Sequence, residues 1–209
     1  MKRTIQCPSC GSPVELAHIN IAVATCPYCE TVSAVHREGA DPMGKSATLI
    51  DFMAALKIGD IGTVKGRRFQ VMGRVRYEYA DGYWDEWYLA FPGGRWGWLA
   101  EAQGKTYLMF QRKLSSGVSL PGFDSLEVGG AVKLGESDFS VTERGVATAL
   151  AAEGDIPWAF RGGVEHKFVD LQGEKDVFAT FEYGKSVSAY VGKEVSLDSL
   201  SLEGDGWDV

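Results

Sequence analysis

Four cysteines, a glutamate set among aromatic rings and one glycine-rich stretch are the residues in this 209-residue chain with chemistry to offer. Cys7-Pro-Ser-Cys10 and Cys26-Pro-Tyr-Cys29 are separated by fifteen residues, the spacing of a four-cysteine zinc site. Each pair fits a tight turn that brings two thiolates to one tetrahedral ion, so Cys7, Cys10, Cys26 and Cys29 are the candidate metal ligands, with zinc as the expected cofactor. Four thiolates close the coordination sphere, which points to a structural ion rather than a catalytic one. A redox role for Cys-x-x-Cys needs a βαβ context, and none is read here. With the tetrahedron complete, His18 and His36 are expected at the surface.

The glutamate lies in Gly73–Phe91, where Asp81-Gly82 separates two aromatic-rich runs and predicts a hairpin with a type I′ turn. That turn sets Tyr79 opposite Trp84, Tyr77 opposite Glu86 and Arg76 opposite Trp87. Alternation then gathers Val75, Tyr77, Tyr79, Trp84, Glu86 and Tyr88 on one face. A carboxylate among rings can hold an amine by charge and cation–π contact, so Tyr77, Tyr79, Trp84, Glu86 and Tyr88 are candidate ligand-binding residues. The plainer alternative is cross-strand packing, with Glu86 paired to an arginine such as Arg95.

Little supports catalysis. Gly39-Ala-Asp-Pro-Met-Gly44-Lys-Ser46 satisfies the phosphate-loop pattern, but its flanking strand and helix are weak and no α/β domain follows. Asp85 and Glu86 point to opposite faces of one strand and cannot act as an acid–base pair on one substrate. The three histidines show no nucleophile–base arrangement. The expectation is a non-enzymatic protein.

Composition bounds the rest. An apolar content of 45% and a charged content of 23% belong to a globular chain with a real core. No run reaches the length of a membrane-spanning helix and no apolar signal core follows Met1, so a cytoplasmic chain is expected. The net charge of −7 divides into 0 over residues 1–38, +3 over 39–120 and −10 over 121–209. An acidic C-terminal half disfavours nucleic acid and admits a cationic ligand.

These residues need a mostly β scaffold. A zinc ribbon is expected over 1–38, then a linker and short helix over 39–55. A first β module follows over 56–120, and a second, divergent one with an acidic tail over 121–209. Strands are predicted at Ile61–Val64, Phe69–Tyr79, Tyr83–Phe91, Trp96–Glu101 and Thr106–Gln111, an antiparallel, barrel-like meander. Phe69-Gln-Val71 recurs as Phe139-Ser-Val141 at an offset of 70, and Phe91-Pro-Gly-Gly94 as Phe160-Arg-Gly-Gly163 at 69, which reads as a tandem repeat. The second copy lacks the aromatic hairpin, and Pro157 marks an edge or loop. The tail from Leu197 is expected to be mobile.

Ile58-Gly-Asp60, Phe69-Gln-Val-Met-Gly73, Arg76-Tyr77, Trp84-Asp-Glu-Trp-Tyr-Leu89 and Trp98-Leu99 resemble the bacterial family DUF4178, a domain of unknown function. The resemblance covers residues 56–112 well and the second module in outline. It implies an N-terminal zinc ribbon and a polyamine-linked or envelope-stress context, with no established activity. The combined expectation is a zinc-containing adaptor that recognises a protein partner. The alternatives are small-cation (polyamine) binding at the hairpin and nucleic-acid binding by the ribbon, the latter weakened by its zero net charge.

Overall fold

Short runs of alternating apolar and polar residues, cut by glycine turns, make the described residues mostly strand. A computed structural model describes residues 3–16, 21–45, 54, 56–80, 82–102, 105–114, 119–158, 160 and 162–203. β1 (Arg3–Gln6) and β2 (Pro13–Leu16) form a hairpin around the first cysteine pair. β3 (Val23–Thr25), β4 (Thr31–His36) and β5 (Gly39–Lys45) form a three-stranded sheet around the second.

β5 replaces the expected linker. Its Asp-Pro-Met-Gly composition reads as a breaker, yet the strand lies at a sheet edge, where proline removes no needed donor. A bulge opposite Val32 and Ser33 absorbs the irregularity. An extended Gly39–Lys45 is also the wrong conformation for a phosphate loop. The expected helix falls almost wholly outside the described residues.

From Ile61 the chain forms two meanders of the same order. The first is β6 (Ile61–Val64), β7 (Arg67–Tyr79), β8 (Gly82–Phe91), β9 (Arg95–Ala102) and β10 (Lys105–Gln111). The second is β11 (Ala131–Leu134), β12 (Ser137–Gly154), β13 (Val164–Gly173), β14 (Val177–Tyr183) and β15 (Val187–Val195). β10 pairs with β15, and the long β12 pairs with β13 along its first part and with β7 along its last. Eight strands, β7 to β10 and β12 to β15, thereby close into an antiparallel ring. Corresponding strands meet at both seams. Thr148 lies opposite Glu78, 70 positions earlier, and Val191 opposite Phe110.

The echo at offset 69 does not follow this order. Phe91-Pro-Gly-Gly94 spans the end of β8 and the β8–β9 turn, whereas Phe160 to Gly163 belongs to the β12–β13 connection. Glycine turns resemble one another wherever they occur, and that match was between non-corresponding loops. Pro157 does fall in a connection, just after the isolated bridge at Ile156. The tail is ordered further than expected. Leu197–Ser199 forms a short 3-10 turn and β16 (Ser201–Leu202) pairs with β6, while Glu203 is bound by Arg68 at 2.7 and 2.8 Å. Residues 204–209 lie outside the described set.

Each meander has its own apolar core on one face. Phe69, Val71, Trp87, Leu89, Leu99 and Leu108 make the first, and Phe139, Val141, Val169, Leu171, Ala179 and Phe181 the second. The opposite faces of both line the ring interior. A bulge at Met72 in β7, matched by one at Thr142 in β12, shifts the alternation, so that Val75 and Tyr77 turn inward while Arg74 and Arg76 join the outer side.

Candidate functional site

The two cysteine turns are built alike. Cys7 N donates to Ser12 O and Gly11 N to Cys7 O, and Cys26 N donates to Thr31 O and Glu30 N to Cys26 O, all within 2.9–3.0 Å. Both turns close through a left-handed residue, Gly11 in one and Glu30 in the other. The four sulfurs converge within 4.8 Å of one another, with Cys7–Cys29 and Cys10–Cys26 each 3.7 Å apart. That separation is far beyond a disulfide bond and matches the edge of a tetrahedron with metal–sulfur bonds of about 2.3 Å, roughly 3.8 Å. The donor set therefore fits a metal ion. Cys29 Sγ is hydrogen-bonded to Thr31 Oγ1 at 3.3 Å, and this contact holds Cys29 down to about 6, whereas burial pushes Cys26 up to about 11. Loss of the thiol protons is what metal ligation requires.

The aromatic hairpin forms with a register different from the type I′ expectation. Tyr79 pairs with Gly82, Tyr77 with Trp84, Arg76 with Asp85 and Val75 with Glu86. The slide is two residues, an even number, so every side chain keeps its face. The observed register sets Tyr77 and Trp84 in a stack with centroids 5.1 Å apart, and lets Asp85 receive both Arg74 and Arg76. In the turn-derived register Tyr77 and Trp84, and Arg76 and Asp85, would be diagonal neighbours rather than directly opposed. Pairing energy across the sheet outweighs local turn preference here.

Among the described residues no arginine pairs with Glu86. Its carboxylate accepts from Trp84 Nε1 at 3.3 Å, and Arg95 lies instead over the Phe110 ring at 4.1 Å. Glu86 is 8% exposed and faces a cavity of about 330 Å³ inside the ring. Tyr77, Tyr79 and Trp84 line the same cavity. Tyr88 does not. It stacks on Trp96 at 5.0 Å and Trp98 at 4.8 Å, packing the interior alongside.

The rest of the lining comes from the far side of the ring. Asp170 on β13 and Glu182 on β14 enter with Phe168, Phe178 and Thr180, and Tyr107 of β10 stacks on Phe178 at 4.2 Å. Burial raises Glu86 to about 7. Burial, with smaller repulsion from Glu143 and Glu86, raises Asp170 to about 7, and the neighbouring Thr180 side chain offsets part of the rise. Glu182 is pushed well above the carboxylate range by burial and then by Glu86 and Asp170. The two lysines at the rim are engaged elsewhere, Lys105 with Glu194 at 3.0 Å and Lys167 over the Phe123 ring at 4.9 Å. Burial lowers His166, which keeps it neutral near pH 7. Glu86, Asp170 and Glu182 thus share a small aromatic chamber that Glu143 also lines, and each of the three is disfavoured as a lone anion and stabilised by an incoming positive charge.

Asp170 and Glu182 escape a reading that stops at the hairpin. Their signal is a single acid inside an apolar strand, Val169-Asp-Leu171 and Phe181-Glu-Tyr183. Ring closure alone shows that these two face Glu86.

A family model described as a domain of unknown function, DUF4178, matches residues 57–197. The chain belongs to the DUF4178 family. No curated protein and no solved structure matches it. The match takes in both meanders, so the DUF4178 unit is the whole ring, wider than the resemblance over 56–112. The cysteine segment precedes it. No helix among the described residues is long and apolar enough to cross a membrane.

Proposed function

We propose that the protein is a zinc-containing, non-enzymatic binding protein whose ring takes up a small organic cation. The observation that carries this reading is the convergence of Glu86, Asp170 and Glu182 from both meanders on one aromatic cavity of about 330 Å³. That volume sits at the small end of ligand pockets. A protonated amine entering there finds carboxylates to neutralise and the faces of Tyr77, Trp84, Tyr107 and Phe178, each cation–π contact adding about 0.5–2 kcal/mol. An anion would meet the same carboxylates at a loss.

Zinc is the ion the four thiolates suit best, in a closed and structural coordination. It would supply folding free energy to a segment too small to hold together by its own core. Recognition of a protein partner keeps one observation of its own, the 69% exposed Tyr28 in the turn between Cys26 and Cys29.

Calorimetry with spermidine, putrescine and tetramethylammonium on the wild type and on Glu86→Gln tests the proposal. Binding by the wild type and at least a tenfold loss in the variant are expected. Absence of binding by all three cations at millimolar concentration would remove the cavity reading. Turnover of a bound amine would remove the non-enzymatic one.

A further inference from the structure

The connection that leaves β12, Asp155 to Trp158, lies between the two sites and touches the elements of both. On one side it is held by the cysteine segment. Ala22 N and Val23 N donate to Ile156 O at 3.0 and 3.1 Å, and Ile156 N donates to Val23 O at 2.9 Å. Gly154 N donates to the hydroxyl of Thr25 at 3.2 Å, and Thr25 is the residue before Cys26. On the other side it is seated on the Met72 bulge, where Asp155 N donates to Met72 O at 2.7 Å. Gly73 permits that seat, since a Cβ there would come within 2.5 Å of Asp155 O.

The same strap enters the ring. Trp158 lies over Trp98 at 4.5 Å, and Trp98 over Tyr88 at 4.8 Å. Val23 and Val32, from the sheet that carries the second cysteine pair, share one apolar cluster with Ile156, Ala147, Ala149 and Tyr77. Tyr77 is the cavity wall that stacks on Trp84. A continuous packed path therefore runs from Cys26 through Thr25, Val23 and Ile156 to Tyr77.

We propose that the four-cysteine centre governs the cavity through this strap. An ion on the thiolates orders β3, β3 holds Ile156 and Gly154, and the strap fixes Tyr77 and Trp158 in the arrangement that receives the cation. Without the ion, the cysteine segment loses its order, the strap loses its anchor and the Tyr77 wall loosens. The cation part of this inference rests on the function proposed above. Coupling of this kind is reciprocal, so the cation strengthens metal binding by the same factor as the metal strengthens cation binding.

The test uses the full-length protein loaded with zinc, and begins with hydrogen exchange, which needs no cation. Chelation is expected to speed exchange at least tenfold at Gly154, at Ile156 and in β7 around Tyr77. Acceleration confined to the cysteine segment would overturn the strap. Thr25→Val keeps all four thiolates and removes the acceptor for Gly154, so in its zinc-loaded form Gly154 should exchange faster while zinc remains bound. Unchanged exchange in that variant would also count against the strap. Spermidine calorimetry with and without zinc, and zinc competition with a chromophoric chelator with and without spermidine, then give the two linkage factors. Equal factors of tenfold or more are expected, and factors near one would overturn the control. If spermidine fails to bind the zinc-loaded protein, the cavity reading falls, and exchange alone decides whether the metal governs the wall.

Discussion

Arg76 holds Asp85 from directly across the β7–β8 ladder, with Nε 2.8 Å from Oδ1 and Nη2 2.7 Å from Oδ2. Arg74 contacts the same carboxylate, and all three side chains are buried. Trp87 lies under Arg74 and Tyr83 under Arg76, at 4.7 and 4.3 Å. Asp85 is thus shared by two guanidiniums out of water, with Glu153 Oε1 also 3.6 Å from Arg74 Nη1. Asp85→Ala should destabilise the fold by about 3–5 kcal/mol in urea unfolding, because it strands buried positive charge. Asp85→Asn, which retains acceptor capacity, should cost less. Equal stability of Asp85→Ala and wild type would show that the cluster contributes nothing.

The cavity acids make stability depend on pH in an unusual direction. Glu86 and Asp170 ordinarily titrate near 4.5 and 3.8 and rise to about 7 in the folded chain. A raised folded pKa means that the native state binds the proton more tightly than the unfolded chain does. The contribution is fully present below the unfolded pKa and is lost as pH rises through about 7. The cation-free protein should lose on the order of 5 kcal/mol between pH 5 and 8, about half of it from each acid. Glu86→Gln should flatten that decline, read from urea midpoints across pH. A wild type whose stability climbs over this range would contradict the burial of these acids.

Ion removal should act on the cysteine segment first. One zinc per chain is expected by native mass spectrometry, and Cys26→Ser should abolish it and lower the melting temperature. Retention of full thermal stability after chelation would exclude a structural role.

Glu30 occupies the left-handed position, at φ 60°, that Gly11 fills in the other cysteine turn. Glu30→Gly should stabilise the zinc-loaded protein by about 1 kcal/mol, since glycine carries no steric penalty there. Differential scanning calorimetry at fixed zinc measures it, and a lower melting temperature would count against the strain.

At the β10–β15 seam, a Cβ on Gly192 would lie 1.9 Å from Leu108 O. Gly192→Ala should separate the strands locally and cost about 1–3 kcal/mol, with faster exchange at Met109 and Phe110. Unaltered exchange would show that the seam yields freely.

Much of the first meander is legible in the sequence because its signals are local. Alternation from Phe69 to Phe91 and the turn residues around it place β6 to β10 within a few positions. The hairpin register is not legible, because the Tyr77–Trp84 stack and the Arg76–Asp85 pair are tertiary gains that outweigh the Asp-Gly turn preference. Because the slide is even, each side chain stays on the face that alternation predicts. Gly39–Lys45 reads as a linker because composition cannot show that an edge position awaits a proline. The cavity was half visible. Tyr77, Tyr79, Trp84 and Glu86 announce themselves within ten residues, but their acidic counterparts lie some 85 to 95 positions on and meet them only when the ring closes.

The double seam has a bearing on how such a chain must be made. Each meander alone leaves long runs of unpaired amides and carbonyls, and the other half covers them at two seams, β10 on β15 and β7 on the last part of β12, while β11 and β16 stay at the ends of the sheet. A ribosome that has released only the first half has produced an open sheet that will stick to whatever strand it meets. Carrying both halves on one polypeptide keeps the proper mate close at hand, so the short tether between Gln111 and Ala131 works as a guard against misassociation during synthesis.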